Sequence, residues 1–127
     1  MAEFDFRHGI EVARRCPPEL RIVGLLHDAI EDGTAKRSEL ASIAGLYALE
    51  TLSYLTRVAG ESYTEYIERV ATDPAACLVK IADLEANLAR MDEAHKSLRP
   101  RYEKALARLT RTAFSKLYVN PTTPDSK

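Results

Sequence analysis

Six residues, His27-Asp28-Ala29-Ile30-Glu31-Asp32, bring together one imidazole and three carboxylates in a segment flanked by the apolar run Leu25-Leu26 and closed by Gly33. Read as a helix, the segment sets His27 four residues from Glu31 and Asp28 four from Asp32, so these side chains share a face. Carboxylates packed that closely repel one another, and a divalent cation relieves the repulsion. A second set lies at Lys80, Asp83 and Asn87, whose spacing projects all three from one helix face among Leu78, Val79, Ile81, Leu84 and Leu88. Polar groups in such apolar surroundings need partners. A cation on Asp83 supplies one, and a phosphate beside Lys80 supplies another.

His8, followed by Ile10, Val12 and Ala13, completes a candidate ligand set of His8, His27, Asp28 and Asp83. Mixed imidazole and carboxylate ligands suit a transition ion better than Ca²⁺ or Mg²⁺. Mn²⁺, Fe²⁺ and Zn²⁺ are the candidates. Four protein ligands on an octahedral ion leave room for a water and a phosphate oxygen, and the ion lowers the pKa of that water. Glu31 and Asp32 are the candidate catalytic acids, placed to orient or deprotonate the water or to protonate the leaving oxygen. His95, in a polar stretch beside Asp92, Glu93 and Lys96, reads as solvated.

Helices must position these groups. Five glycines and long stretches rich in Ala, Leu, Glu and Arg favour helix over sheet. The sequence predicts an all-α bundle of six to seven helices in one domain over residues 1–118, with 119–127 as a disordered tail. A short helix over 7–15 closes at Cys16-Pro17-Pro18, and a buried helix runs from Pro18 to about Glu31. Ser38 caps a helix through Ile43. Gly45 separates it from Leu46–Arg57, whose Leu46, Ala48, Leu52 and Leu55 make apolar contacts. Glu61-Ser62 opens a helix with Tyr63, Tyr66, Ile67 and Val70 at helical spacing, and Asp73-Pro74 opens the central helix. The last helix, from near Pro100 to Tyr118, carries Arg101, Lys104, Arg108 and Arg111 on one side, read as an exposed face.

Net charge is −1, but residues 96–116 hold seven basic side chains against one acid, so the first 95 residues carry minus seven. An acidic body with a basic last helix does not fit a nucleic-acid polymer as partner; it fits a metal site with anion-attracting charge nearby. No apolar run approaches the roughly 20 residues of a membrane span, and the acidic start lacks a signal-peptide pattern. Cys16 and Cys77 read as reduced, buried thiols of a cytoplasmic protein. An apolar patch on Tyr63/Tyr66 or on the Leu46–Leu55 helix reads as core or as a homo-oligomer interface.

His8, His27-Asp28 and Asp83 together resemble the metal ligands of the HD-domain phosphohydrolases. More narrowly, Leu26-His-Asp-Ala-Ile-Glu-Asp32 and Val79-Lys-Ile-Ala-Asp-Leu-Glu-Ala-Asn-Leu88 resemble the hydrolase domain of RelA/SpoT-type alarmone enzymes and the small alarmone hydrolases, over roughly residues 7–112. The resemblance implies an all-helical HD domain that binds one Mn²⁺ and removes the 3′-pyrophosphate of (p)ppGpp. It implies Glu31 and Asp32 as the acidic pair handling water, Lys80 and Asn87 as residues facing the nucleotide, and Tyr102 as a substrate contact. That family usually carries a longer N-terminal helix and a basic, glycine-containing loop before the first histidine. Here seven residues precede His8, and Arg7 is the only basic one among them. The alternatives are an HD-type nucleotidase or nucleoside triphosphate hydrolase, and an inactive nucleotide-binding or regulatory module.

Overall fold

The computed structural model describes residues 6–28, 33 and 36–118. Helices α1 (Phe6–Arg14), α2 (Arg21–Leu26), α3 (Arg37–Leu55), α4 (Tyr63–Ala71), α5 (Pro74–Ala89) and α6 (Arg99–Tyr118) follow in order, with short 3-10 segments at Pro18–Leu20 and Glu93–Leu98. There is no strand among the described residues, so the expected all-α class and helix number hold. The expected tail, 119–127, lies outside the described residues.

Helix α5 is the axis. It touches each of the other five helices, and its buried surface is built largely from small side chains: Ala75, Ala76, Ala82 and Ala86, with Cys77, Val79 and Leu84. Alanine lets neighbouring backbones approach while keeping the best helix propensity. Around it lie Val12, Val23, Leu40, Leu52, Leu55, Tyr66, Ile67, Val70 and Leu109, all buried in one core. Asp73 starts α5 as the sequence predicts: its Oδ2 accepts from the Ala76 N–H at 2.8 Å, and Pro74 fills the first turn, where its missing N–H costs nothing. Ser62 and Glu65 cap α4 reciprocally, at 3.0 and 2.9 Å.

Three expectations are corrected. The helix expected from Pro18 to Glu31 is instead a 3-10 turn followed by α2, which ends at Leu26. Leu20, at φ −109° and ψ 4°, breaks the first turn. At the other end the imidazole of His27 lies 2.7 Å from the Gly24 carbonyl, the acceptor that a continuing helix would offer to the Asp28 N–H. The start of α3 is set by Glu39, which accepts from the Lys36 N–H at 2.8 Å, and not by Ser38. Within α3, Gly45 at φ 89° bends the chain as expected, but the bend turns Leu46 outward: it is 78% exposed, beside Ile43 and Tyr47 at 68% and 71%. Leu46 therefore adds nothing to the core.

Both cysteines are free and buried, and burial pushes the Cys16 thiol up to about 11. No helix among the described residues is long and apolar enough to cross a membrane.

Close packing of α1 on α2 is what carries His8 to the centre. Gly9 is buried, and a Cβ there would lie 2.6 Å from the Leu25 carbonyl oxygen, a backbone atom that cannot yield cheaply. Gly9→Ala is expected to destabilise the protein by about 1–3 kcal/mol in urea titration; an unchanged midpoint would contradict this packing.

Candidate metal centre

Asp83 projects from the buried centre of α5, 4% exposed. An isolated carboxylate there would be costly, and four neighbours compensate it. Lys80, one turn earlier on the same face, donates to Oδ2 at 2.7 Å. Asn87, one turn later, donates to Oδ1 at 3.3 Å. From α1, His8 Nε2 meets the same Oδ1 at 2.6 Å. From the end of α2, His27 Nε2 lies 3.2 Å from it. Burial alone would raise the Asp83 pKa; the Lys80 ammonium, with the two imidazoles beside the carboxylate, overcomes that and holds it well below the usual carboxylate range. Lys80 is raised in turn: its burial is outweighed by the Asp83 charge and by the tyrosines around it. Its ammonium sits 5.3 Å from the centre of the Tyr66 ring, a cation–π contact.

The tautomer of His27 follows from its surroundings. A carbonyl oxygen only accepts, so the proton facing Gly24 is on Nδ1. Nε2 is left buried without a hydrogen-bond partner, facing Asp83 Oδ1 at 3.2 Å and Asp28 Oδ2 at 3.3 Å. A lone pair directed at two carboxylates demands a cation between them, either a proton or a metal. Consistently, the pKa of His27 is raised: desolvation pulls it down, but the nearby Asp83 and Asp28 carboxylates, which favour a proton on Nε2, prevail. Burial raises Asp28, opposed by His27.

These donors fit a divalent ion. Ligand atoms of His8, His27 and Asp28 lie within 4.8 Å of one another, and Asp83 touches both imidazoles. Bonds of about 2.1 Å at right angles separate neighbouring ligand atoms by roughly 3.0 Å, close to the 3.2 and 3.3 Å spacings around His27 Nε2, whereas the 2.6 Å hydrogen bond between His8 and Asp83 must open to admit an ion. The Gly24 carbonyl accepts the Nδ1–H hydrogen bond that normally fixes the ring of a ligand histidine. His8 lacks that support: its Nδ1 is buried without a partner.

All four residues expected as ligands are thus brought together. Lys80 and Asn87, expected to face a nucleotide, are engaged with the Asp83 carboxylate. Tyr102 lies further out on α6, its ring 6.4 Å from that of Tyr63, and lines a trough of about 470 Å³ with Asn87, Arg90 and His95. Glu31 and Asp32 fall outside the described residues. His95 is exposed and held by Asp92 at 2.7 Å, as the polar stretch implied. Sequence reasoning missed the Gly24 carbonyl as the group that orients His27. It also missed Tyr66 as the ring beneath Lys80, because a tyrosine at helical spacing reads as plain core. Tyr66 is fixed by donating to the Leu55 carbonyl at 2.7 Å.

Compared with models of known protein families and with curated proteins, the sequence finds no match.

The two aspartates differ in their surroundings, and the difference is measurable. Asp83→Asn leaves the buried Lys80 ammonium without its counter-charge and is expected to cost on the order of 3–5 kcal/mol. Asp28, whose side chain is 40% exposed, is expected to cost less than about 1 kcal/mol as Asp28→Ala. Equal losses for the two variants in denaturant unfolding would contradict this assignment.

Proposed function

We propose that this chain is a metal-dependent phosphohydrolase of the HD type, acting on a pyrophosphate or phosphate ester of a nucleotide. The observation that carries the reading is the convergence of His8, His27, Asp28 and Asp83, from three distant segments, on the unpartnered Nε2 of His27. A divalent ion held by those four supplies Lewis acidity toward a phosphoryl group and a water of lowered pKa. By resemblance manganese leads; the ligand set itself also accepts Fe²⁺ or Zn²⁺.

The chain's own residues have separable tasks in this reading. Lys80 and Asn87 fix the Asp83 carboxylate, so both are positioning residues as well as neighbours of any bound nucleotide. Gly24 holds the His27 ring and its tautomer. Glu31 and Asp32, at three and four residues beyond Asp28, are assigned the proton transfers. Tyr102 forms part of the wall of the trough that begins at Asn87. By resemblance a (p)ppGpp-like 3′-pyrophosphate leads among substrates, ahead of nucleoside mono- and triphosphates.

One observation favours a second reading, a nucleotide-binding or regulatory module without turnover. Asp83 is already satisfied by protein donors, so its network can serve the fold alone.

Release of pyrophosphate from 3′-pyrophosphorylated nucleotides and of phosphate from 5′-phosphorylated ones, each with Mn²⁺, distinguishes these. The expected result is metal-dependent turnover of a 3′-pyrophosphate, reduced at least 100-fold by Glu31→Gln. Release from 5′-phosphates alone would reject the alarmone-like substrate, and equal background rates in both proteins would reject catalysis.

A further inference from the structure

Residues of α4 and α6 line a groove of about 650 Å³. The sequence explains the space. The α6 face toward α4 carries Ala105 where a larger side chain would fill the gap, and Ile67 and the Tyr63 ring complete an apolar floor. One wall is a basic stripe: Arg101, Lys104, Arg108 and Arg111 recur at helical spacing along α6. The opposing wall offers one acid, Glu68, and it is consumed by Arg108, which donates to both of its oxygens at 2.7 Å. Arg108 also bonds Thr112, so it is a structural clamp between the helices.

Three cations remain. The Arg101 guanidinium carbon lies over the Tyr63 ring, 4.7 Å from its centre. Arg101 is exposed, and a cation over a ring keeps its charge for an anion. Lys104 and Arg111 are exposed at the rim, with no hydrogen bond or ion pair to another of the described residues. Like charges lined along one concave wall raise the local potential and attract anions. An apolar, aromatic floor beneath a cationic wall asks for a ligand with an apolar body and clustered negative charge, and the volume is in the range of small-molecule sites.

We propose that the α4–α6 groove is a second ligand site, distinct from the metal centre, that takes a phosphorylated small molecule: phosphates against Arg101, Lys104 and Arg111, and a planar or apolar body on Tyr63, Ile67 and Ala105. Tyr63 connects the two sites. Its ring packs 6.0 Å from that of Tyr66, the ring beneath Lys80. The proposal holds whether or not the metal centre turns over a substrate.

The test is NMR titration of the full chain in the presence of a metal chelator, with inorganic pyrophosphate and separately with adenosine triphosphate. Saturable shifts are expected at the amides of residues 62–68 and 101–111, with the nucleotide binding more tightly than pyrophosphate. Lys104→Glu/Arg111→Glu, both at exposed positions, is expected to weaken binding at least tenfold, whereas Lys96→Glu, on the neighbouring 3-10 segment, leaves it unchanged. Shifts confined to residues 27–28 and 80–87, affinity indifferent to the double variant, or no saturation with either probe would overturn the proposal. Preferential binding of an acidic peptide or an RNA over both probes would overturn it as well.

Discussion

Everything central to this molecule is arranged about one buried carboxylate. Asp83 is charged, inside an apolar helix bundle, and tolerable only because donors from three helical segments meet it. Each donor imposes a demand on the fold. Lys80 and Asn87 require α5 to be regular through this turn. His8 requires α1 to lie against α5. His27 requires α2 to stop so that its ring can reach inward. The close passage at Gly9 and the short length of α2 are consequences of the same constraint, seen from the backbone.

A buried polar network of this kind buys specificity of arrangement more than stability. Replacing it with well-packed aliphatic side chains would satisfy the bundle; keeping it fixes how α1, α2 and α5 sit relative to one another. The network is also incompletely neutralised. His27 Nε2 faces two carboxylate oxygens, and His8 Nδ1 has no partner. Those unpartnered ring nitrogens distinguish this centre from the fully reciprocal Glu61–Arg69 pairing elsewhere in the molecule. There, Glu61 takes two hydrogen bonds from a guanidinium that also serves the carbonyls of Ser53, Tyr54 and Thr56. That second arrangement reads as a staple for the α3–α4 turn, complete in itself.

Much of this was legible before any coordinates. Asp73-Pro74, Ser62 with Glu65, and the apolar spacing of α4 and α6 rest on local chemistry, so the sequence announces them. The i, i+3, i+7 spacing of Lys80, Asp83 and Asn87 likewise needs only helical geometry. Other features depend on long-range contacts that no window contains. Whether Pro18 through Glu31 forms one helix depended on the Gly24 carbonyl being taken by the His27 ring. The exposure of Leu46 followed from the direction of the Gly45 bend, which composition does not specify. The basic face of α6 looked simply solvated, because the groove beside it is created by α4, some forty residues earlier in the chain.

The ligand set is therefore where the account is most exposed. Crystals grown or soaked with manganese, with anomalous diffraction collected to locate the ion, test it directly. The expected result is one peak lying about 2.0–2.4 Å from His8 Nε2, His27 Nε2 and carboxylate oxygens of Asp28 and Asp83. Manganese-saturated crystals with no peak between those four side chains, or with the ion bound elsewhere, would contradict it.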